Sequence, residues 1–337
     1  MTKRVRSGDD DVYCPSPKKV FSVVKVDIIL TPECNWIENV KFLELVDVHN
    51  LDSVIKNVDK IKWDTTKYSN RLAARCWKNQ KIQLEAYRDL YISGTGVVVC
   101  NTRRLQWGRV HPAQMLGFTG FKKAYRNKLL LKFYTDFDIV NCHFEMIRQI
   151  CDASGIACVA TAHFIDNREE LYSSLVERYG VDRSAVKSLF LRLLYLGTFD
   201  GWSINNDVPR QLTATKQIKD LAIELMCIAQ CIRNLNPILA ACVENRNETN
   251  QLGCFLSYYL QEHELRLVSS VIRYLWEETD VLNHDEHKVC TYQYDGIQIL
   301  TKNLDSYLGG VDALLKKIQD VGFEKTGLKL KWIQKKI

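Results

Sequence analysis

Short apolar runs alternate with polar breaks along this chain in a way that predicts a mixed protein of strands and helices. From Val20 to Val48 two hydrophobic stretches, VVKVDIIL and FLELVDV, are separated by turn residues and read as strands, or as a strand plus a helix. Leu51–Leu90 reads mainly as helix, with Trp63, Leu72, Trp77 and Leu84 among charged residues. Gly94 and Gly96 end it, and Val97–Cys100 begins a strand. Leu131–Ile147, LKFYTDFDIVNCHFEMI, is a strand-forming run interrupted by Asp136 and Asp138, which then continues into an apolar segment. Helical texture resumes at Asn167.

Gly180–Gly197, GVDRSAVKSLFLRLLYLG, predicts a helix with Asp182 as its N-cap and no internal proline or glycine. Arg183, Lys187, Leu191 and Tyr195 fall four apart, on one stripe that is cationic for two turns and then apolar or aromatic. Asp200–Pro209 reads as a loop, Leu212–Arg233 as a structural helix, Asn234–Gly253 as a region with a turn, and Cys254–Trp276 as a long helix. On that last helix Glu262, His263 and Glu264 could contribute to a site, with a solvated helix face the favoured reading. Asp280–His287 is a loop, and Val289–Leu300, VCTYQYDGIQIL, is a second apolar run broken by Asp295-Gly296. Val311–Ile318 predicts a helix and Leu328–Ile333 a strand.

Composition adds bounds. The chain has 337 residues, 46% of them hydrophobic and 26% charged, with a net charge of +6, and no apolar run is long enough to span a membrane. Its twelve cysteines include no CxxC pair and no zinc-like spacing, as expected of reduced, buried thiols in an intracellular protein. The N-terminus has no secretory core. Basic pairs Lys3-Arg4 and Lys18-Lys19 flank an acidic run in a tail expected to be flexible, and their spacing fits a nuclear-import signal; the cytoplasm is the other expected location.

The charge is unevenly placed. Between Arg103 and Lys132 stand eight Lys or Arg (Arg103, Arg104, Arg109, Lys122, Lys123, Arg126, Lys128, Lys132) and no acid, and Lys316–Lys336 has seven lysines against two acids. Such patches suit a polyanion. Gly108 beside Arg109 permits a close backbone approach to a phosphate with a bidentate guanidinium contact, and Trp107 and Phe118 could stack on bases or pack in the core. Two strands carrying Asp138 and Asp295 suggest one or two divalent cations held between them, although Asp-Gly is equally a hairpin turn.

In this order, the pieces resemble the catalytic core of the family A DNA polymerases, closest in look to their transposon- and virus-encoded relatives. Trp107–Pro112, WGRVHP, is similar to the family's TGRLS motif, with Arg109 matching its arginine, and Arg126 in AYRNKLL is the candidate for the arginine before motif A. Asp138 matches the motif A aspartate and His143 the residue that screens the sugar 2′ position, where the family has glutamate; DIVNCH is also similar to motif A of the family B polymerases. Arg183, Lys187 and Tyr195 match the fingers pattern in register, with Leu191 in place of its aromatic and Gly197 one residue late. Asp295 matches the central residue of motif C, and Gln251-Leu252-Gly253 is a weak counterpart of the glutamine-glycine motif.

The resemblance covers about Cys100–Leu300. It implies an α+β right-hand polymerase fold with an antiparallel-sheet palm, helical fingers and a reduced thumb or N-terminal lobe. The expected divisions are a tail over 1–20, an accessory lobe over 21–99, palm with motif A over 100–160, fingers over 161–250, and palm with motif C plus a basic segment over 251–337. It also implies two-metal addition of deoxynucleotides to a primer 3′-hydroxyl. Asp138 and Asp295, with the backbone carbonyl of Ile139, would hold two Mg²⁺, for which Mn²⁺ could substitute. Arg183 and Lys187 would grip the triphosphate, Lys187 would protonate pyrophosphate, and Leu191, Tyr195 and His143 would face the nucleotide. Arg109, Arg126, Lys122, Lys123 and the C-terminal lysines would hold primer–template. Proofreading is not expected, since no exonuclease-like carboxylate cluster precedes Cys100. A helicase or primase is the expected protein partner. An RNA polymerase, a template-independent nucleotidyltransferase, a non-catalytic nucleic-acid-binding accessory protein and a metal-dependent nuclease stay open as alternatives.

Overall fold

We describe a computed structural model of the chain over residues 32–61, 70–103, 107–130, 133–244 and 249–335. The N-terminal tail, Trp63, Arg104 and Lys132 lie outside the described residues, as do the side chains of Leu72, Trp77 and Arg103.

The first part holds α1 (Pro32–Asn39), β1 (Lys41–Glu44), α2 (Val48–Lys56), α3 (Asn70–Asp89), β2 (Val97–Arg103), β3 (Val110–Pro112) and α4 (Lys123–Leu130). Asp47 caps α2 by accepting from the His49 and Asn50 amides. β1, β2 and β3 form an antiparallel sheet in that order, Phe42 opposite Val99 and Thr102 opposite His111. β2 runs unbroken from Val97 to Arg103. A separate core of Leu51, Leu84, Tyr87, Phe118, Tyr125 and Leu129 fills this part. Phe118, a candidate for base stacking, is 0% exposed and packs on Tyr87 and Tyr134 instead.

The second part opens with β4 (Tyr134–Ile139) and α5 (Cys142–Ser154). Then comes a helical lobe of α6 (Val159–Asp166), α7 (Arg168–Tyr179), α8 (Arg183–Leu194), α9 (Phe199–Asn205), α10 (Lys216–Leu235) and α11 (Pro237–Glu244). The 28-residue α12 (Gln251–Glu278) follows, then β5 (Asn283–His284), β6 (His287–Lys288), β7 (Thr291–Tyr292), β8 (Gly296–Leu300), α13 (Thr301–Leu304), α14 (Gly310–Thr326) and β9 (Trp332–Lys335).

Four expectations are corrected. Asp200–Pro209 is not a loop, because Thr198 caps α9 at the Gly201 amide and the Trp202 indole is drawn in to donate to the Ala185 carbonyl. Leu212–Ala214 precede the helix, which starts after the Thr215 cap. The turn region 234–253 contains α11, begun by Pro237, a residue whose missing N–H costs nothing in a first turn. The loop 280–287 contains the β5–β6 hairpin.

β7, β8, β4 and β9 form an antiparallel sheet in that order, with Asp138 opposite Gly296 and Ile333. Val289–Leu300 is thus a hairpin of two strands, and Asp295 sits in its turn. α12 passes behind this sheet, with Leu256, Leu260, Leu267, Val271 and Leu275 in one continuous core with Phe137, Ile297 and the helical lobe. No single helix among the described residues is long and apolar enough to cross a membrane.

Candidate active site

β4 alternates faces, so Phe137 and Ile139 enter the core while Asp136 and Asp138 share the opposite face. The hairpin turn brings Asp295 beside them, and the Ile139 amide donates to the Asp295 carbonyl at 3.0 Å. Only glycine lets the two segments approach so closely, since a Cβ on Gly296 would lie 2.4 Å from the Phe137 carbonyl oxygen. Burial, and then the negative charge of Asp295, push the Asp138 carboxyl up to about 6. Burial also raises Asp295, with the Glu264 charge adding to it, and Asp136 is raised by burial against the pull of Lys335. Partly desolvated carboxylates that repel one another call for positive charge. One source is on the chain itself: Lys335, from β9, forms an ion pair with Asp138. Two carboxylates and nearby backbone carbonyls are also the hard oxygen donors that suit Mg²⁺, so the residues present fit the implied metals.

α8 borders the same cavity as the carboxylates. Asp182 caps it as its spacing predicts, accepting from the Ala185 amide at 2.7 Å. The stripe Arg183, Lys187, Leu191 and Tyr195 lines a cavity of about 740 Å³ that Asp138, Ile139 and Asp295 also line. Leu191 is 44% exposed into it, an open apolar surface beside the cationic turns. Arg168, not singled out by the spacing of residues, lines the same cavity and holds Asn141 in its left-handed conformation by donating to its Oδ1. Arg183 is bonded to Glu169 and lies over the Tyr172 ring, so its charge is oriented but shared.

The largest departure concerns Glu262, His263 and Glu264. They are buried rather than solvated, and Glu264 has no exposed surface. Arg109 donates to both of its carboxylate oxygens at 2.7 Å, and His143 Nε2 lies 2.8 Å from Oε2. His143 Nδ1 is in turn 2.5 Å from the Tyr195 hydroxyl. Burial alone would raise Glu264, but the charges and hydrogen bonds of His143 and Arg109 pull it down to about 2. The ligand atoms of Cys142, His143 and Glu264 cluster within 4.8 Å, yet both oxygens of Glu264 are already held by a guanidinium, which leaves little reason for a metal there. Residues 256, 260, 264, 267, 271 and 275 are one helical stripe, so periodicity marked Glu264 as inward; its charge argued the other way.

The basic patch divides. Arg109 is engaged by Glu264 and lies over the Tyr294 ring at 4.4 Å, and the close approach allowed at Gly108 is to α12: its amide donates to Glu262 and a Cβ would lie 2.9 Å from Tyr258. Arg126 is half-buried in the field of Asp136, Tyr294, Asp295 and Glu44, where burial lowers its basicity and those charges restore part of it. Lys122, Lys123 and Lys128 remain exposed. Trp107, packed against the main core, joins Arg109, His111, Tyr195, Asn250, Gly253, Tyr258 and Gln261 around a neighbouring cavity of about 430 Å³.

No family model matches the chain. It is 25% identical over 227 residues to a Sputnik virophage protein described as "Putative helicase V13", a match that covers 66% of this chain and 27% of that protein. The chain thus spans about a quarter of the length of that curated relative. Among solved structures it matches the POL domain of Pol1 from M. smegmatis, in complex with DNA primer–template and dNTP, with a TM-score of 0.52 and 9% identity over 90% of this chain and 68% of that one. The fold is that of a family A polymerase domain, with a mixed α+β architecture and antiparallel sheets.

Proposed function

We propose that this chain is a template-directed DNA polymerase that adds deoxynucleotides to a primer 3′-hydroxyl and has no proofreading exonuclease. One observation carries the reading: two carboxylates, one on a strand and one in a hairpin turn, line the same cavity as a stripe of cations from a helix distant in sequence, in a chain with a polymerase fold. A nucleoside triphosphate needs cations along its phosphates, an open apolar or aromatic surface at its base, and carboxylates where its α-phosphate is attacked. Arg183, Lys187 and Arg168 supply the first, Leu191 and Tyr195 the second, and Asp138 and Asp295 the third.

Asp138 and Asp295 would hold Mg²⁺ or Mn²⁺ together with the Ile139 carbonyl. When bound, such ions lower the pKa of an attacking hydroxyl and neutralise a leaving pyrophosphate. Lys187, exposed in the cavity lining and making no ion pair among the described residues, would bind the outer phosphates and give a proton to pyrophosphate. Lys122, Lys123 and the exposed lysines of the last segment form a sequence-independent surface for primer–template. The much longer virophage relative is named as a helicase, which supports a helicase as the working partner.

Primer extension with Mg²⁺ on a short primer–template, with deoxynucleotides and ribonucleotides offered separately, tests the reading. Folded Asp138→Asn and Asp295→Asn proteins should lose template-dependent extension that the native chain performs. A native chain that binds duplex tightly and extends no primer would instead be a non-catalytic accessory protein.

A further inference from the structure

We infer that Glu264 is a positioning residue for sugar selection, whose buried carboxylate holds the His143 ring against the Tyr195 hydroxyl and so fixes the cavity wall that faces the nucleotide sugar. The inference rests on the polymerase reading above and adds to it a residue on a helix that carries none of the other nucleotide contacts.

The geometry is a clamp. His143 Nε2 lies 2.8 Å from Glu264 Oε2, an ion-pair contact, and Nδ1 lies 2.5 Å from the Tyr195 hydroxyl, so turning the ring moves it away from one or both neighbours. Glu264 is itself immobile, because it sits in the core stripe of α12 and Arg109 grips both its oxygens. Four segments far apart in the chain are joined this way: the β2–β3 connection through Arg109, the start of α5 through His143, the end of α8 through Tyr195, and α12. Arg109, His143, Tyr195 and Glu264 all line the cavity that holds Asp138, Asp295 and Lys187. A ring tied in place excludes a substituent by bulk, whereas an untied ring yields to it. Tyr195 also ends the helix bearing Arg183 and Lys187, so the same clamp sets the distance between the triphosphate cations and the sugar wall.

A single buried carboxylate meets two partners here, the Arg109 guanidinium and the His143 ring. Glutamine at 264 keeps the volume and one hydrogen bond to Arg109, but loses the charge that draws the imidazole. The ring is then free to leave Tyr195, and a ribose 2′-hydroxyl is admitted.

The test compares kcat/KM for deoxynucleotide and ribonucleotide in native, Glu264→Gln, His143→Ala and doubly substituted proteins. Glu264→Gln should raise the ribonucleotide-to-deoxynucleotide ratio about tenfold, chiefly through a lower KM for the ribonucleotide. In the His143→Ala background the same change should have little further effect, which a merely structural role would not predict. Tyr195→Phe removes one hydroxyl without unpairing a buried charge, and it should move the ratio the same way even if Glu264→Gln does not fold. Nucleotide affinity on the protein–primer–template complex, titrated with dGTP or GTP by tryptophan fluorescence, reads the same ratio without turnover. An unchanged ratio in the folded variants, or an equal change with and without His143, overturns the inference while leaving the polymerase reading intact. A native chain that binds neither nucleotide overturns both.

Discussion

Replacing Arg109 with methionine should reveal what it costs to bury the Glu264 carboxylate without its main partner. The carboxyl is fully buried, and burial is the largest influence on it; even so, His143 and Arg109 bring it from 4.5 down to about 2. That difference corresponds to roughly 3 kcal/mol of preference for the ionised form in the folded protein. Arg109 supplies two charge-assisted hydrogen bonds of 2.7 Å, and His143 supplies one contact. Without Arg109 the site must keep a poorly compensated charge or take up a proton, so we expect a loss of about 3–5 kcal/mol. Glu264→Gln should cost less, about 1–2 kcal/mol, because the Arg109 side chain is 27% exposed and its charge can reach water. The Arg109→Met/Glu264→Gln protein should then be more stable than Arg109→Met alone.

Equilibrium unfolding in urea, followed by tryptophan fluorescence and circular dichroism, reads all four proteins. The pH dependence has a definite sign. A carboxyl held low in the folded state contributes stability that is fully present above 4.5 and disappears as pH falls toward about 2, and Arg109→Met should flatten that limb. A loss below about 1 kcal/mol for Arg109→Met, or additive effects in the double variant, would refute the reasoning, because neither fits a charge that depends on this partner.

Other outcomes follow from the same structure. Glu44 is buried against the Tyr87 hydroxyl and the Phe118 amide, and burial outweighs those donors to push it up to about 8. Since the folded state keeps a proton there that the unfolded chain releases above 4.5, stability should fall by up to about 1.4 kcal/mol per pH unit as pH rises toward 8, a slope that Glu44→Gln should remove in urea midpoints measured across that range. Lys335→Met takes a cation away from Asp138 and should tighten Mn²⁺ binding about fivefold, read by electron paramagnetic resonance of free Mn²⁺; the pair is partly exposed, so a larger change is not expected. Arg168→Ala should raise KM for nucleotide about tenfold with a smaller effect on kcat, while Lys187→Ala should lower both kcat and kcat/KM in steady-state kinetics.

Local features made half of the candidate site readable before any fold was known. β-branched and aromatic residues around Asp136 and Asp138 form a strand because of what they are, and Asp182 caps α8 because its short carboxylate reaches an amide three residues on. The four-residue register of Arg183, Lys187, Leu191 and Tyr195 is a property of any helix. The hairpin-turn reading of Asp295-Gly296 holds, and that turn is what sets Asp295 beside β4. Glu264 was misread because an acid in a core stripe is stable only if its partners arrive from elsewhere, and Arg109 and His143 are 155 and 121 positions away in the chain. For Arg126 the sequence showed only a cation in a basic run; its burial beside Asp136 and Asp295 came with the fold.

By itself, then, this chain's sequence determined its secondary elements near the site, the identity of the two facing carboxylates and the cationic stripe, because each depends on residues a few positions apart. Which charges are buried, which cations face one another across the cavity, and which of them are already occupied were decided only by tertiary structure. The cost of an unpaired buried charge is set by neighbours distant in sequence, and no local pattern records where those neighbours will stand.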